Sequence, residues 1–210
     1  MFRDGRAPTA NEPAARSCVL PPRWLRSTDW RACPSGIWPP RRASVKSGLY
    51  AHFGSKQELQ LATVDEAERI LDAEVVQPAL AAQPGLAQLV AVCEEFLDYL
   101  RRRVFPGGCF FAAAALEMGT RAGPVKERIA AFQNEFVTLL RDIAGTAVEQ
   151  HELPASEDPP DQLAFELYGT LLAADARFVL HEDPAVLDLA RQIVRRRLGL
   201  VDSSRHTERG

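Results

Sequence analysis

Between Val125 and Ala147 the apolar residues Val125, Ile129, Phe132, Phe136, Leu139, Ile143 and Ala147 recur at every third or fourth position without a break. Such spacing lays one continuous apolar stripe along an α-helix and would scatter the same residues over both faces of a strand, so the segment is expected to be a helix of about six turns. Pro124 marks its start, because the first helical residue has no use for the N–H that proline lacks. A helix of this length and pattern has to bury its stripe against other helices.

The flanking sequence supplies them. Ser55, followed three residues later by Glu58, is a capping box. It predicts a helix from Lys56 through Leu59, Val64, Ala67, Ile70 and Leu71 toward Gln77, which Pro78 ends or kinks. A second helix is expected from near Pro84, carrying Leu86, Leu89, Val90, Cys93, Phe96, Leu97 and Leu100, with Arg101, Arg102 and Arg103 suited to its C-terminal turn. The FPGG run at 105–108 reads as a turn, and Cys109 to Met118 as a short helix closed by Gly119, with Phe110 and Phe111 mostly buried. Glu152 to Pro160 reads as an acidic, proline-containing loop. Two helices close the pattern, 161–180 and 184–198, with apolar stripes broader than one neighbour covers, which points to packing against a partner. The expected fold class is therefore all-α, with residues 201–210 a polar, disordered tail.

Charge and motifs exclude several functions. A formal net charge of −3 does not suit a protein that coats nucleic acid by general basicity, yet Arg41, Arg42, Lys46 and Lys56 form one local patch with no acid between them. Cys18, Cys33, Cys93 and Cys109 lack the spacing of a zinc site, and two of them are expected to pack as small apolar residues. No apolar run is long enough to span a bilayer and no secretory leader is recognisable, so a cytoplasmic protein is expected. His151 and His181 stand beside acids, but at helix ends they are read as solvated rather than as ligands or bases. No GxSxG, HExxH or phosphate-cradling loop occurs. No catalytic, cofactor-binding or metal-binding residue is expected, and an enzyme reading is set aside.

The run SVKSGLYAHFGSKQEL, residues 44–59, resembles the recognition helix of TetR-family transcriptional regulators, and GGCFFAAAALEMGTRAGPVKERI resembles the middle of that family's ligand-binding bodies. The resemblance implies a helix-turn-helix head followed by an antiparallel helical body that binds a small effector and dimerises. On that basis Lys46, Ser47 and Gly48 face bases, Tyr50 and His52 lie beside the phosphate backbone, Lys56 meets phosphate, and Leu49 and Phe53 face the core of the head. The implied partners are a palindromic double-stranded operator, a largely apolar small-molecule effector and a second copy of the chain, paired through helices 161–180 and 184–198. Candidate pocket residues are Phe96, Tyr99, Phe110, Phe111, Met118, Phe132, Phe136 and Tyr168. The implied activity is effector-controlled operator binding, as a repressor.

The resemblance stops at Ser44. Residues 1–43 carry prolines at 8, 13, 21, 22, 34, 39 and 40 and no helical periodicity, where the family has the first half of its head. Reading residues 16–45 in the neighbouring frame, with permitted codons, yields an apolar-periodic helix, a Gly turn and a Ser-led second helix at the right spacing to Tyr50. Residues near 16–45 are therefore read as the frame-shifted translation of a once normal head. The expected organisation is an irregular or frame-shifted segment at 1–43, a remnant of the head at 44–62, a ligand-binding and dimerisation domain at 63–200 and the tail. The alternative is a dimeric helical ligand-binding or interaction protein that cannot bind DNA because its head is incomplete.

Overall fold

A computed structural model describes residues 54–153 and 159–200. The expectations for residues 1–43, for Lys46, Ser47, Gly48, Leu49, Tyr50, His52 and Phe53, for the shifted frame and for the tail lie outside the described residues. Within them the chain is all-α: α1 (Lys56–Leu71), a π-helical turn (Asp72–Val76), α2 (Gln77–Leu80), α3 (Leu86–Arg101), α4 (Phe110–Met118), α5 (Pro124–Glu149), α6 (Pro160–His181) and α7 (Ala185–Arg197).

Local sequence explains the ends of these helices. Ser55 is extended at the N-cap of α1, and its hydroxyl accepts the Glu58 N–H at 3.1 Å. Pro78 neither ends the rod nor breaks it. Proline offers no N–H and its ring crowds the carbonyl one turn back, and the chain meets this by widening before it: the Gln77 N–H bonds to the carbonyl of Asp72, five residues earlier. The helix then continues to Leu80. α3 begins after Gly85, whose φ of 102° suits glycine, and the Leu86 N–H donates at 2.7 Å to Glu152 beyond the end of α5. A distant carboxylate thus serves as the cap that α3 lacks locally.

α5, 26 residues long, is the central strut, with α1, α3, α4 and α6 packed around it and α7 laid across α3 and α6. It buries Val125, Ile129, Phe132, Phe136, Leu140, Ile143, Ala144 and Ala147, so Leu140 takes the fully buried place expected of Leu139, which is only partly buried. Phe111 is buried and Phe110 half-buried at the start of α4, and Gly119 follows that helix in right-handed conformation. The core is otherwise leucine, valine and aromatic residues from every helix, and burial of that surface supplies the main stabilisation. Ion pairs set the register around it. Arg191 of α7 pairs with Glu94, Asp98 and Asp188, Arg101 pairs with Asp188, and Arg128 of α5 pairs with Asp65 and Glu68 of α1. Arg191–Glu94 and Arg128–Glu68 are part-buried, whereas Arg101–Asp188 is exposed and contributes about 0–1 kcal/mol. No helix among the described residues is long and apolar enough to cross a membrane.

Candidate functional site

α3, α4, α5 and α6 meet around a small cavity beneath the N-terminal end of α4. Phe96, Phe111, Phe132, Phe136 and Tyr168 of the sequence-derived list line it. Tyr99, Phe110 and Met118 of that list do not. Tyr99 is fully buried between Phe96 and Phe105, Phe110 packs on Phe105 and Phe111, and Met118 is buried at the far end of α4. Leu71, Cys109, Ala112, Gln133 and Leu172 complete the wall. The free volume is about 10 Å³, the room that one water molecule requires.

The wall is aromatic and uncharged. Phe111 of α4 and Phe132 of α5 lie face to face with centroids 3.5 Å apart and planes inclined by 15°, and Phe96 and Tyr168 both pack against Phe136 at 6.0 and 6.3 Å. Gln133 brings the one side-chain amide, and its Nε2 makes a long hydrogen bond of 3.4 Å to the Phe111 carbonyl. Burial pushes the Cys109 thiol and the Tyr168 phenol both up to about 12, so each stays protonated at neutral pH.

The start of α4 is tied to α6 through a buried acid. Asp175, 4% exposed, accepts the Cys109 N–H at 3.0 Å, satisfying one of the donors that a helix N-terminus leaves open. Burial raises its carboxyl from 3.8 to about 6, against the lowering effect of that bond. Gly108 makes the approach possible: its φ is 83°, and a Cβ there would lie 2.2 Å from Asp175 Oδ1 and 2.5 Å from Val179 Cγ2. Beside them the Tyr99 hydroxyl faces the Phe110 amide without reaching hydrogen-bonding geometry and has no other partner among the described residues. At the opposite end of α4, Glu117 has one buried carboxylate oxygen without a partner, and desolvation raises its pKa while Arg121 and Lys56 act to lower it. α4 therefore runs from the joint with Asp175 to a half-buried acid that feels the charges of Arg121 and Lys56.

Asp175 was the functional-looking residue that sequence pattern passed over. It stands four residues beyond Leu171 and three before Phe178, in the buried stripe of α6, and an acid in that register is the signal. Gln133 carried no such signal.

The outer faces of α6 and α7 each carry large apolar side chains that nothing among the described residues covers. Phe165 and Leu180 of α6 are 71% and 76% exposed, and Leu189 and Ile193 of α7 are 55% and 44% exposed. On α6 the set Phe165, Gly169, Ala173, Ala176 and Leu180 lies on the side opposite Leu163, Leu167, Leu171 and Phe178. Nothing lies within 4 Å of a Cβ built on Gly169. His151 and His181 are exposed at helix ends. Lys56, the one DNA-facing candidate inside the described residues, is exposed as the first residue of α1. No group of three or more His, Cys, Asp or Glu among the described residues could hold a metal ion.

Residues 85–194 match the family model described as tetracyclin repressor-like, C-terminal domain. Among solved structures, the chain is similar to a TetR transcriptional regulator from Chloroflexus aurantiacus (TM-score 0.69, 21% identity, 82% of this chain and 90% of that one). It is similar to a TetR-family transcriptional regulator from Streptomyces coelicolor (TM-score 0.65, 23% identity, 84% and 93%). AibR, whose structure is in complex with isovaleryl coenzyme A and operator DNA, gives a TM-score of 0.62 at 19% identity over 84% of this chain and 97% of AibR. No curated protein sequence matches.

Proposed function

The chain belongs to the tetracyclin repressor-like C-terminal domain family, and from that premise we propose that it is the effector-binding, dimerising body of a transcriptional regulator whose intact head binds a palindromic operator as a repressor. The family match over residues 85–194 carries the reading. The cavity supports it, because an uncharged aromatic wall under a short helix suits a small apolar effector.

Homodimerisation through α6 and α7 is supported by the uncovered face. Four large apolar side chains on two adjacent helices are more than scattered surface residues require, and Gly169 costs its helix about 1 kcal/mol relative to alanine with nothing among the described residues packed on it. A partner helix packed closely at Gly169 accounts for both. Control is a population shift: effector in the cavity favours one placement of α4, whose Glu117 end acts on Lys56 at the start of α1, the helix leading from the head. Lys46, Ser47, Gly48, Tyr50, His52 and Lys56 are the proposed DNA contacts.

The second reading, a ligand-binding dimer without DNA activity, is favoured by the proline-rich sequence of residues 1–43. Fluorescence anisotropy separates the two, using this chain beside a version with residues 16–45 in the neighbouring frame, against duplex from upstream of its own gene. Binding by the restored version alone, falling steeply with added salt as phosphate contacts require, supports a regulator with a broken head. Binding by both means residues 1–43 complete a head as they stand. Failure of both on every upstream duplex overturns the operator reading in favour of the ligand-binding dimer.

A further inference from the structure

We propose that the effector is a neutral, flat aromatic molecule that enters by parting the Phe111–Phe132 stack and makes one hydrogen bond with the Gln133 side-chain amide. The inference rests on the reading of this cavity as the effector site and goes further by naming the ligand's chemistry and way in.

Volume argues first. A space of about 10 Å³ admits no organic molecule, so a ligand must displace part of the wall. The shortest helix of the wall is α4: nine residues long, packed chiefly on α5, tied to α6 at its start by Asp175, and bounded by Gly107 and Gly108 on one side and Gly119 on the other. Its grip on α5 at the cavity is the face-to-face contact of Phe111 with Phe132. Two stacked rings are a particular kind of gate. A flat aromatic inserted between them replaces the lost ring–ring contact with one on each of its own faces, whereas an aliphatic chain or a globular ligand does not.

The wall sets the charge. Its polar side-chain groups are the Gln133 amide, the Tyr168 phenol and the Cys109 thiol, with no Lys, Arg, His, Asp or Glu among the lining residues. Phenol and thiol stay protonated, so an ionic ligand meets no counter-charge in the cavity and carries its full desolvation cost. A phosphorylated carrier such as a coenzyme A thioester has no cation there to receive it. Gln133 sits at the seam. Its amide reaches the Phe111 carbonyl only at 3.4 Å, a bond weak enough to be surrendered when the rings part, freeing the amide for a ligand donor or acceptor.

Two fluorescent probes of one skeleton test this: neutral N-phenylnaphthylamine and anionic anilinonaphthalene sulfonate, titrated into the whole chain, with isovaleryl coenzyme A as competitor. The neutral probe is expected to bind saturably, once per chain, and the sulfonate about a hundredfold or more weaker. Gln133→Leu is expected to weaken the neutral probe about five- to tenfold. Phe132→Leu, which removes one face of the stack, is expected to weaken it further, and circular dichroism of each variant shows whether the fold is retained. Equal binding of both probes at a site sensitive to these substitutions, or displacement by isovaleryl coenzyme A, overturns the proposed chemistry while leaving the cavity as the effector site. Binding of neither probe, or binding indifferent to Gln133→Leu and Phe132→Leu in folded protein, overturns both.

Discussion

Asp175 is the residue whose protonation the fold should register most clearly. It lies in the apolar stripe of α6 with the Cys109 N–H as its hydrogen-bond donor, and burial lifts its carboxyl from 3.8 to about 6. Between those values the folded protein holds the proton more tightly than the unfolded chain. Its contribution to stability is therefore complete below about pH 4 and is lost as the pH rises through about 6, by an amount on the order of 3 kcal/mol. Asp175→Asn keeps an oxygen for the Cys109 N–H and has no charge to bury. Urea denaturation of both proteins at one concentration, from about pH 4 to about pH 8, gives the difference directly. Other carboxylates, including Glu66 and Glu166 whose pKa values their arginine partners lower, titrate alike in both proteins and cancel. The variant should match the parent near pH 4 and exceed it by up to about 3 kcal/mol near pH 8. A difference that stays flat with pH, or a variant that grows less stable as the pH rises, refutes the reasoning, since it means the ionised carboxylate is satisfied where it lies.

Other predictions concern the same region. Gly108→Ala forces a Cβ to 2.2 Å from Asp175 Oδ1 at a φ of 83° and should cost about 2–4 kcal/mol by thermal unfolding; a loss below about 0.5 kcal/mol contradicts the close approach. Tyr99→Phe removes a buried hydroxyl without a partner, so stability should be unchanged or rise by up to about 1 kcal/mol, and a clear loss points to a bond the geometry does not contain. Burial pushes the Cys93 and Cys109 thiols both up to about 12, so peptide mapping after alkylation at mild alkaline pH should find both unmodified in native protein and modified in urea.

Helix periodicity was legible because burial in a helical body repeats with the helix itself. The long helix and its inward residues Val125, Ile129, Phe132, Phe136, Ile143 and Ala147 follow from spacing alone, and only the choice between the adjacent Leu139 and Leu140 needed the neighbours. Pro78 marked the disturbance of the helix but not its form, for a physical reason. Proline forbids one hydrogen bond, and a sequence does not show that a π turn one step earlier can absorb the loss. The cavity was half legible. Phe96, Phe111, Phe132, Phe136 and Tyr168 were nameable as aromatic residues of the middle helices, but Tyr99 is of the same kind and one turn from Phe96, and it faces Phe105 instead. Leu71, Cys109, Gln133 and Leu172 reach the cavity through the angles between helices, which residue types do not encode.

The account stands on two copies pairing through α6 and α7, since a palindromic operator requires two heads held one helical turn apart. Sedimentation equilibrium of the chain and of Phe165→Asp tests this most directly. Phe165 is 71% exposed, so the substitution leaves the subunit core intact while placing a charge in the proposed interface. The account predicts a dimer at low micromolar concentration that the substitution converts to a folded monomer. A monomer at every concentration, or a dimer indifferent to Phe165→Asp, contradicts it.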